Sequence, residues 1–198
     1  MQDRIALVAE LYALVFRWQK SCSPQSIVKR LVIGPTASEN SLGGSEYLKV
    51  IHGKVTGIPP AIDLEEEIAV QKTCREAGRR GVISSAHDCS EGGLAVALAE
   101  SCMSGGAKIG AEAEVQGKMR KDELLFGETQ SRIIVSLREE KLKALKQIAG
   151  KHGAPIRVIG RTGGRKLVVR GLIDMEIGEI YDAWSGSIPR RLGLKKQG

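Results

Sequence analysis

Short runs of β-branched and apolar residues alternate along this chain with longer amphipathic stretches, a pattern that predicts strands and helices in turn. Residues 1–20 read as an amphipathic helix stopped by Ser21-Cys22-Ser23-Pro24, and residues 27–33 as a strand that turns at Gly34-Pro35. Gly43-Gly44-Ser45-Glu46-Tyr47-Leu48 opens a second helix, with Ser45 or Gly44 near its cap. Beyond the rigid Gly57-Ile58-Pro59-Pro60 break, Asp63 caps a helix that runs to Arg80. Glu65, Glu66 and Glu67 fall in its first turn, where acids complement the positive end of the helix dipole. That acidic run therefore marks a helix start rather than a metal site.

The next stretch carries most of the candidate chemistry. Residues 82–86 predict a buried strand, and the Ala-rich run that follows predicts a helix beginning near Ser90. Between them lies Ala86-His87-Asp88-Cys89-Ser90-Glu91-Gly92-Gly93. A strand-to-helix turn of this kind can hold phosphate on the free N–H groups of the helix start, and Asp88 can hold a hard cation such as Mg²⁺ that bridges phosphate oxygens. The same residues also satisfy a plainer reading, with Ser90 as helix cap, Asp88 in an Asx turn and the glycines fitting a tight bend. His87 stands beside the strand end with no evident base or nucleophile as partner.

Downstream, the pattern predicts a short strand over residues 110–115, a loop through Lys121-Asp122, a strand over 133–137 and a helix over 139–152 ended by Gly153. Residues 156–160 and 166–170 read as strands joined in a hairpin through Thr162-Gly163-Gly164, and residues 173–184 as a last short helix. The sum is an α+β fold, a mixed β-sheet layered with helices. A second polar cluster, Glu128-Thr129-Gln130-Ser131-Arg132, precedes the 133–137 strand. It reads either as a ligand shelf or as a capped loop in which Arg132 pairs with Glu128.

Composition narrows the function classes. A chain of 198 residues with 42% hydrophobic content can bury a real core. No apolar run is long enough to span a bilayer, and charges interrupt the first twenty residues where a signal peptide would need a clean apolar region. Cys22, Cys74, Cys89 and Cys102 form no CxxC pair and no zinc spacing, so a reduced, cytoplasmic chain is expected. The net charge of +7 is scattered rather than striped, and 4% aromatics leave little to stack on bases, which argues against a nucleic-acid binder.

Three motifs together carry a resemblance: Leu42-Gly43-Gly44-Ser45-Glu46-Tyr47-Leu48, then Ala86-His87-Asp88-Cys89-Ser90-Glu91-Gly92-Gly93-Leu94, then Leu124-Leu125-Phe126-Gly127-Glu128-Thr129-Gln130-Ser131-Arg132. In order and spacing they resemble the last domain of the synthetase subunit in the phosphoribosylformylglycinamidine synthase family. The likeness extends through Val158-Ile159-Gly160-Arg161 to Tyr181-Asp182-Ala183-Trp184 and covers residues 31–198, leaving residues 1–30 as an N-terminal helical extension of unassigned origin. Selenophosphate and thiamine-phosphate enzymes of the wider superfamily match the first and third motifs less closely.

The resemblance implies a fold like the C-terminal domain of aminoimidazole ribonucleotide synthetase. It also implies a part in converting formylglycinamide ribonucleotide, ATP and glutamine-derived ammonia into formylglycinamidine ribonucleotide, in purine biosynthesis. Implied cofactors are Mg²⁺ and ATP or ADP. Asp88 and Ser90 match the Asp and Ser of a His-Asp-x-Ser-Asp-Gly-Gly motif that touches Mg²⁺ and nucleotide at an auxiliary site, whose second Asp is Glu91 here. Asp88 is thereby a metal ligand, and Ser90, Gly92 and Gly93 are nucleotide-binding. Glu128, Thr129 and Gln130 match a Glu-Ser-Gln segment that contacts substrate in the first-half copy of the domain. No catalytic residue is implied, because the family's catalytic histidines and ATP loops lie upstream of the matched region. The chain alone is expected to lack synthetase activity, with upstream synthetase domains, a glutaminase, small accessory subunits or a second copy of itself as partners. The alternative is a non-catalytic nucleotide-binding or assembly module of the same fold.

Overall fold

Strand alternation divides the hydrophobic core of this protein in two. The computed structural model describes residues 28–35, 40–104 and 108–192, so the predicted helix over residues 1–20 lies outside the described residues. In β1 (Val28–Ile33), Leu31 and Ile33 join one buried cluster and Val32 the other; in β4 (Ile133–Arg138), Ile133, Val135 and Leu137 face the first and Ile134 the second. This is the period of two that a strand buried on both faces imposes.

The sheet has seven strands in the order β2-β4-β1-β5-β3-β6-β7, with β2 at Ser85–Asp88, β3 at Ala111–Ala113, β5 at Ile156–Thr162, β6 at Lys166–Val169 and β7 at Ile173–Glu176. All neighbours are antiparallel except β3 and β6. The mixed sheet expected from sequence is present. One face is covered by α2 (Leu64–Arg79) and α5 (Leu142–His152), which bring Val70, Cys74, Ala77, Leu145 and Ile148 onto Leu31, Ile33 and Val135. The other is covered by α3 (Gly93–Met103), α4 (Lys121–Phe126) and α6 (Ile177–Ser185), through Leu94, Leu98, Leu125 and Ile177. Each such fully buried aliphatic side chain contributes roughly 1.5–3 kcal/mol. Two short helices, α1 (Glu46–His52) and α7 (Ser187–Arg191), and a 3-10 turn at Glu139–Lys141 complete the described elements.

The helix over α2 starts as predicted: Asp63 Oδ1 accepts from the N–H groups of Glu65 and Glu66. Several other boundaries differ from the sequence reading, each for a physical reason. The strand expected at 82–86 begins at Ser85, because Val82 and Ile83 are spent as core side chains of the loop leading into it. Lys121-Asp122 opens a helix instead of a loop, although Arg120 at its N-cap makes no side-chain capping bond. The expected hairpin of β5 and β6 does not form, since β3 lies between them and pairs with both. The turn at Gly163-Gly164 instead wraps Gly110, which exchanges backbone hydrogen bonds with both glycines. Residues 173–176 pair with β6 as a strand, and the last predicted helix starts only at Ile177.

Candidate functional site

The three motifs meet at one carboxylate. Glu128 Oε1 accepts from the N–H of Glu46 in the first turn of α1, at 3.0 Å, and from the N–H of Gly92 at the start of α3, at 2.8 Å. A carboxylate placed between two helix starts satisfies donors that the helices themselves leave open, and it complements both dipoles. Backbone contacts reinforce the junction. The Glu128 N–H donates to Ser41 O at 2.9 Å, and the Tyr47 ring stacks on Phe126 with centroids 4.8 Å apart.

Gly92 and Gly93 are required here by shape as well as by conformation. Both have left-handed backbone, at φ 77° and 64°. A Cβ on Gly93 would stand 2.6 Å from Gly127 O and 2.8 Å from the Phe126 carbonyl carbon, so α3 can approach the 126–128 backbone only without a side chain there. Ser90 is not the helix cap expected from sequence. Gly92 occupies the cap position with no side-chain bond, and the Ser90 hydroxyl donates to Asp88 Oδ2 instead. Asp88, Ser90 and Glu91 are exposed at the mouth of this turn, whereas Cys89 between them is buried and its thiol is pushed up to about 11 by that burial. His87 does have a partner: its Nε2 lies 2.9 Å from Glu100 Oε2, tying β2 to α3.

The loop after Glu128 is held along its length. Arg132, almost fully buried, donates through Nε to Thr129 O at 3.0 Å and through Nη2 to Gly127 O, so it does not pair with Glu128. Burial lowers its pKa, since the charged guanidinium loses water. Ser131, at φ 60°, donates through Oγ to Glu67 Oε2 at 2.5 Å and ties the loop to α2. Thr129 is buried, and the Gln130 Oε1 atom is buried with no hydrogen-bond partner among the described residues. Sequence reasoning singled out Glu128, Thr129 and Gln130 but missed Glu46 as the third member of the junction. The available signal was the Ser45 cap, which marks a helix start whose first-turn N–H groups stand open to an acceptor.

A metal would find little on this chain alone. Among the described residues no group of three or more His, Cys, Asp and Glu side chains is gathered as a metal site. Asp88 offers one exposed carboxylate, which suits Mg²⁺ held mainly by phosphate oxygens and water and does not suit an all-protein cage. Among the described residues no helix is long and apolar enough to cross a membrane.

Comparison with known proteins gives a consistent set of relatives. The chain is 48% identical over 159 residues to the phosphoribosylformylglycinamidine synthase subunit PurL of Anaeromyxobacter sp. (strain K), covering 76% of this chain and 21% of the relative. It is 47% identical over 163 residues to the subunit of the same name from Moorella thermoacetica, covering 80% and 22%. This chain thus spans about a fifth of the length of the relatives it matches. Among solved structures, Thermotoga maritima PurL complexed with FGAR superposes with a TM-score of 0.67 at 18% identity, over 81% of this chain and 29% of that one. The matched fold is therefore that of a segment within a longer polypeptide. The family model described as "AIR synthase related protein, C-terminal domain" matches residues 30–172, from β1 through β6 and up to β7, and the chain belongs to that family.

Proposed function

We propose that this chain is the C-terminal domain of a phosphoribosylformylglycinamidine synthase, acting in the ATP-dependent conversion of formylglycinamide ribonucleotide and glutamine-derived ammonia to formylglycinamidine ribonucleotide. The observation that carries this is identity near one half to PurL subunits across three quarters of the chain. In that reaction ATP phosphorylates the amide oxygen and ammonia displaces the phosphate, and Mg²⁺, when bound, supplies charge neutralisation for the transfer. Residues 31–198 form the synthetase domain in this reading, with residues 1–30 as an extension, and the setting is the cytoplasm.

The residues divide by exposure. Asp88 and Ser90 are the accessible groups through which the chain contributes to an auxiliary Mg-nucleotide site, Asp88 to the metal and Ser90 to phosphate. Gly92 and Gly93 shape that turn, the Gly92 N–H being engaged by Glu128 and the Gly93 N–H by Ser90 O at 3.0 Å. Glu128 orders the junction, while Gln130 keeps a buried oxygen without a partner among the described residues, which a donor from a substrate or a neighbouring domain would satisfy.

An apolar strip supports membership in a larger assembly. Val50, Ile51, Val55, Ile58, Ile62, Leu64 and Ile68 are all more than half exposed, and Ile58 reaches 85%. Soluble domains rarely leave such a run uncovered. Its occupant in this reading is the upstream part of the same synthetase, since the matched relatives are about five times longer than the matched segment and the family model is named for a C-terminal domain. Glutaminase and small accessory subunits join through that larger body in this reading, and a structure of PurLQS from Thermotoga maritima is among those similar in fold.

The test is replacement. The purified chain is expected to show no turnover of formylglycinamide ribonucleotide with ATP and ammonia, and to restore turnover when it replaces the matching segment of the Moorella thermoacetica subunit. Activity of the isolated chain, or failure of a soluble chimera, would overturn the reading. The alternative is a non-catalytic nucleotide-binding module of the same fold, and the exposed Asp88 and Ser90 side chains before a helix start are the observation that supports it. It requires Mg-ADP binding by the chain itself that Asp88→Ala abolishes in calorimetry.

A further inference from the structure

On the sheet face away from the junction, α2 and the C-terminal end of α5 border an open hollow of about 330 Å³ lined by Lys72, Arg75, Glu76, Arg79, Arg80 and His152, with Lys151 beside it. Five cations thus surround one carboxylate. Glu76 is fully committed to three of its neighbours: Oε1 lies 3.1 Å from Arg80 Nη1, and Oε2 lies 2.7 Å from both Lys151 Nζ and His152 Nε2. These contacts hold its pKa at about 2, so it stays ionised, and they leave it no oxygen for Lys72 and Arg75.

The helix dipole accounts for only part of this charge. Arg79 and Arg80 stand at the C-terminal end of α2, where cations are favoured. Lys72 and Arg75 lie one to two turns earlier, where that effect has faded, yet the spacing 72, 75, 76, 79 sets them on the same face. Neither Lys72 nor Arg75 has a carboxylate partner among the described residues, and the Arg75 Nε is buried without a hydrogen-bond acceptor. Like charges gathered in a concave site cost stability unless an anion joins them. No Phe, Tyr or Trp side chain is among the residues that line the hollow, and cations dominate it, so it offers phosphate chemistry first.

We propose that this hollow is a polyphosphate-binding site, with Lys72 and Arg75 as its principal ligands. A diphosphate group presents enough oxygens to meet a guanidinium and an ammonium at once, which a single carboxylate in place of Glu76 does not. The site lies on different elements from Asp88 and Ser90 and does not depend on the synthetase reading.

Calorimetry on the full chain with pyrophosphate tests this. Saturable binding is expected, tighter than for inorganic phosphate and weakened by salt. Lys72→Ala and Arg75→Gln should each weaken it by about tenfold, the scale of one lost charge-assisted contact. Lys118→Ala, the same charge change on an exposed loop, should leave it unaltered. Circular dichroism checks that the variants fold. ADP binding that follows the same two variants assigns the hollow to nucleotides, and pyrophosphate binding without ADP assigns it to free inorganic anions. No saturation at millimolar pyrophosphate, or binding indifferent to Lys72→Ala and Arg75→Gln, overturns the proposal.

Discussion

Glu128 and Gly92, far apart in sequence, are joined by a 2.8 Å hydrogen bond from the Gly92 N–H to the Glu128 Oε1 atom, and the same oxygen accepts from Glu46. The bond explains why three separated motifs occur together in one chain. Each supplies one part of a junction that has no function in isolation: a helix start from the first, a left-handed glycine turn from the second, and the carboxylate from the third.

Removal of that carboxylate should therefore loosen two helix starts at once. Glu128→Ala is expected to destabilise the chain by roughly 2–3 kcal/mol, because it leaves two N–H groups without an acceptor in a half-buried setting. Glu128→Gln keeps an acceptor oxygen and should cost less. Urea unfolding of the two variants gives the comparison, and equal losses would show that the hydrogen bonds are not what the residue contributes.

Gly93 and Gly53 separate conformation from space. Both have positive φ, 64° and 63°, but a Cβ on Gly53 would meet nothing within 4 Å, while one on Gly93 would meet the backbone of Phe126 and Gly127. Gly53→Ala should cost only the left-handed penalty, roughly 1–2 kcal/mol. Gly93→Ala adds a backbone clash that cannot relax without moving α3, so it should cost more and shift the thermal midpoint further. A reversed order would mean that α3 and α4 can separate freely.

Much of this was legible from residue pattern, and the misses have a common cause. Asp63 and Ser45 announced their helices because a side-chain cap is a local device, and both caps are made. The α3 start was misread because Gly92 caps it by conformation alone, which Ser90 obscures in the sequence. The strand at 173–176 was hidden because its residues also fit a helical run, and only the non-local pairing with β6 decides between them. The same holds for β5 and β6, where Gly163-Gly164 has the chemistry of a hairpin turn but β3 arrives from elsewhere to fill the gap. In the site, the sequence named Glu128 and Gly92 separately. That they touch is tertiary information.

Thiol reactivity should report the closed core. Cys74, Cys89 and Cys102 are free and buried, and loss of hydration pushes the first two up to about 12 and about 11. The thiolate is the reactive form, so iodoacetamide at mildly alkaline pH should spare all three in the native chain. Mass spectrometry after the same treatment in guanidinium should find all three modified. Rapid native labelling of Cys89 would mean that the 88–93 turn opens readily.

Acid should act through Glu76. Its folded pKa of about 2 lies below the ordinary value of 4.5, so the unfolded chain takes up a proton first as pH falls. The contribution is fully present above about pH 4.5 and is lost as pH drops through about 2. Glu76→Gln should therefore flatten the fall in stability over that window while leaving the acid response elsewhere intact, as followed by urea midpoints at successive pH values. An unchanged slope would place the acid sensitivity on other carboxylates.

The exposed strip between Val50 and Ile68 should be nearly silent in the isolated chain and important in the assembly. Val55 and Ile58 are 80% and 85% exposed, so Val55→Ser and Ile58→Ser remove almost no buried contact and should alter stability by no more than about 0.5 kcal/mol. The backbone beneath them is fixed independently of those side chains, through Gly44 N–H to Thr56 O at 2.9 Å and the close approach of Gly43 to Ile58. The arm is therefore held in place while its apolar side chains point outward, which is the geometry of a preformed interface. When the upstream part of a relative's synthetase subunit is supplied as a separate polypeptide, the double variant should bind it more weakly than the parent chain in analytical ultracentrifugation. Loss of folding stability in the isolated double variant would instead show that the strip packs within this chain, and equal binding by both would place the interface on another face.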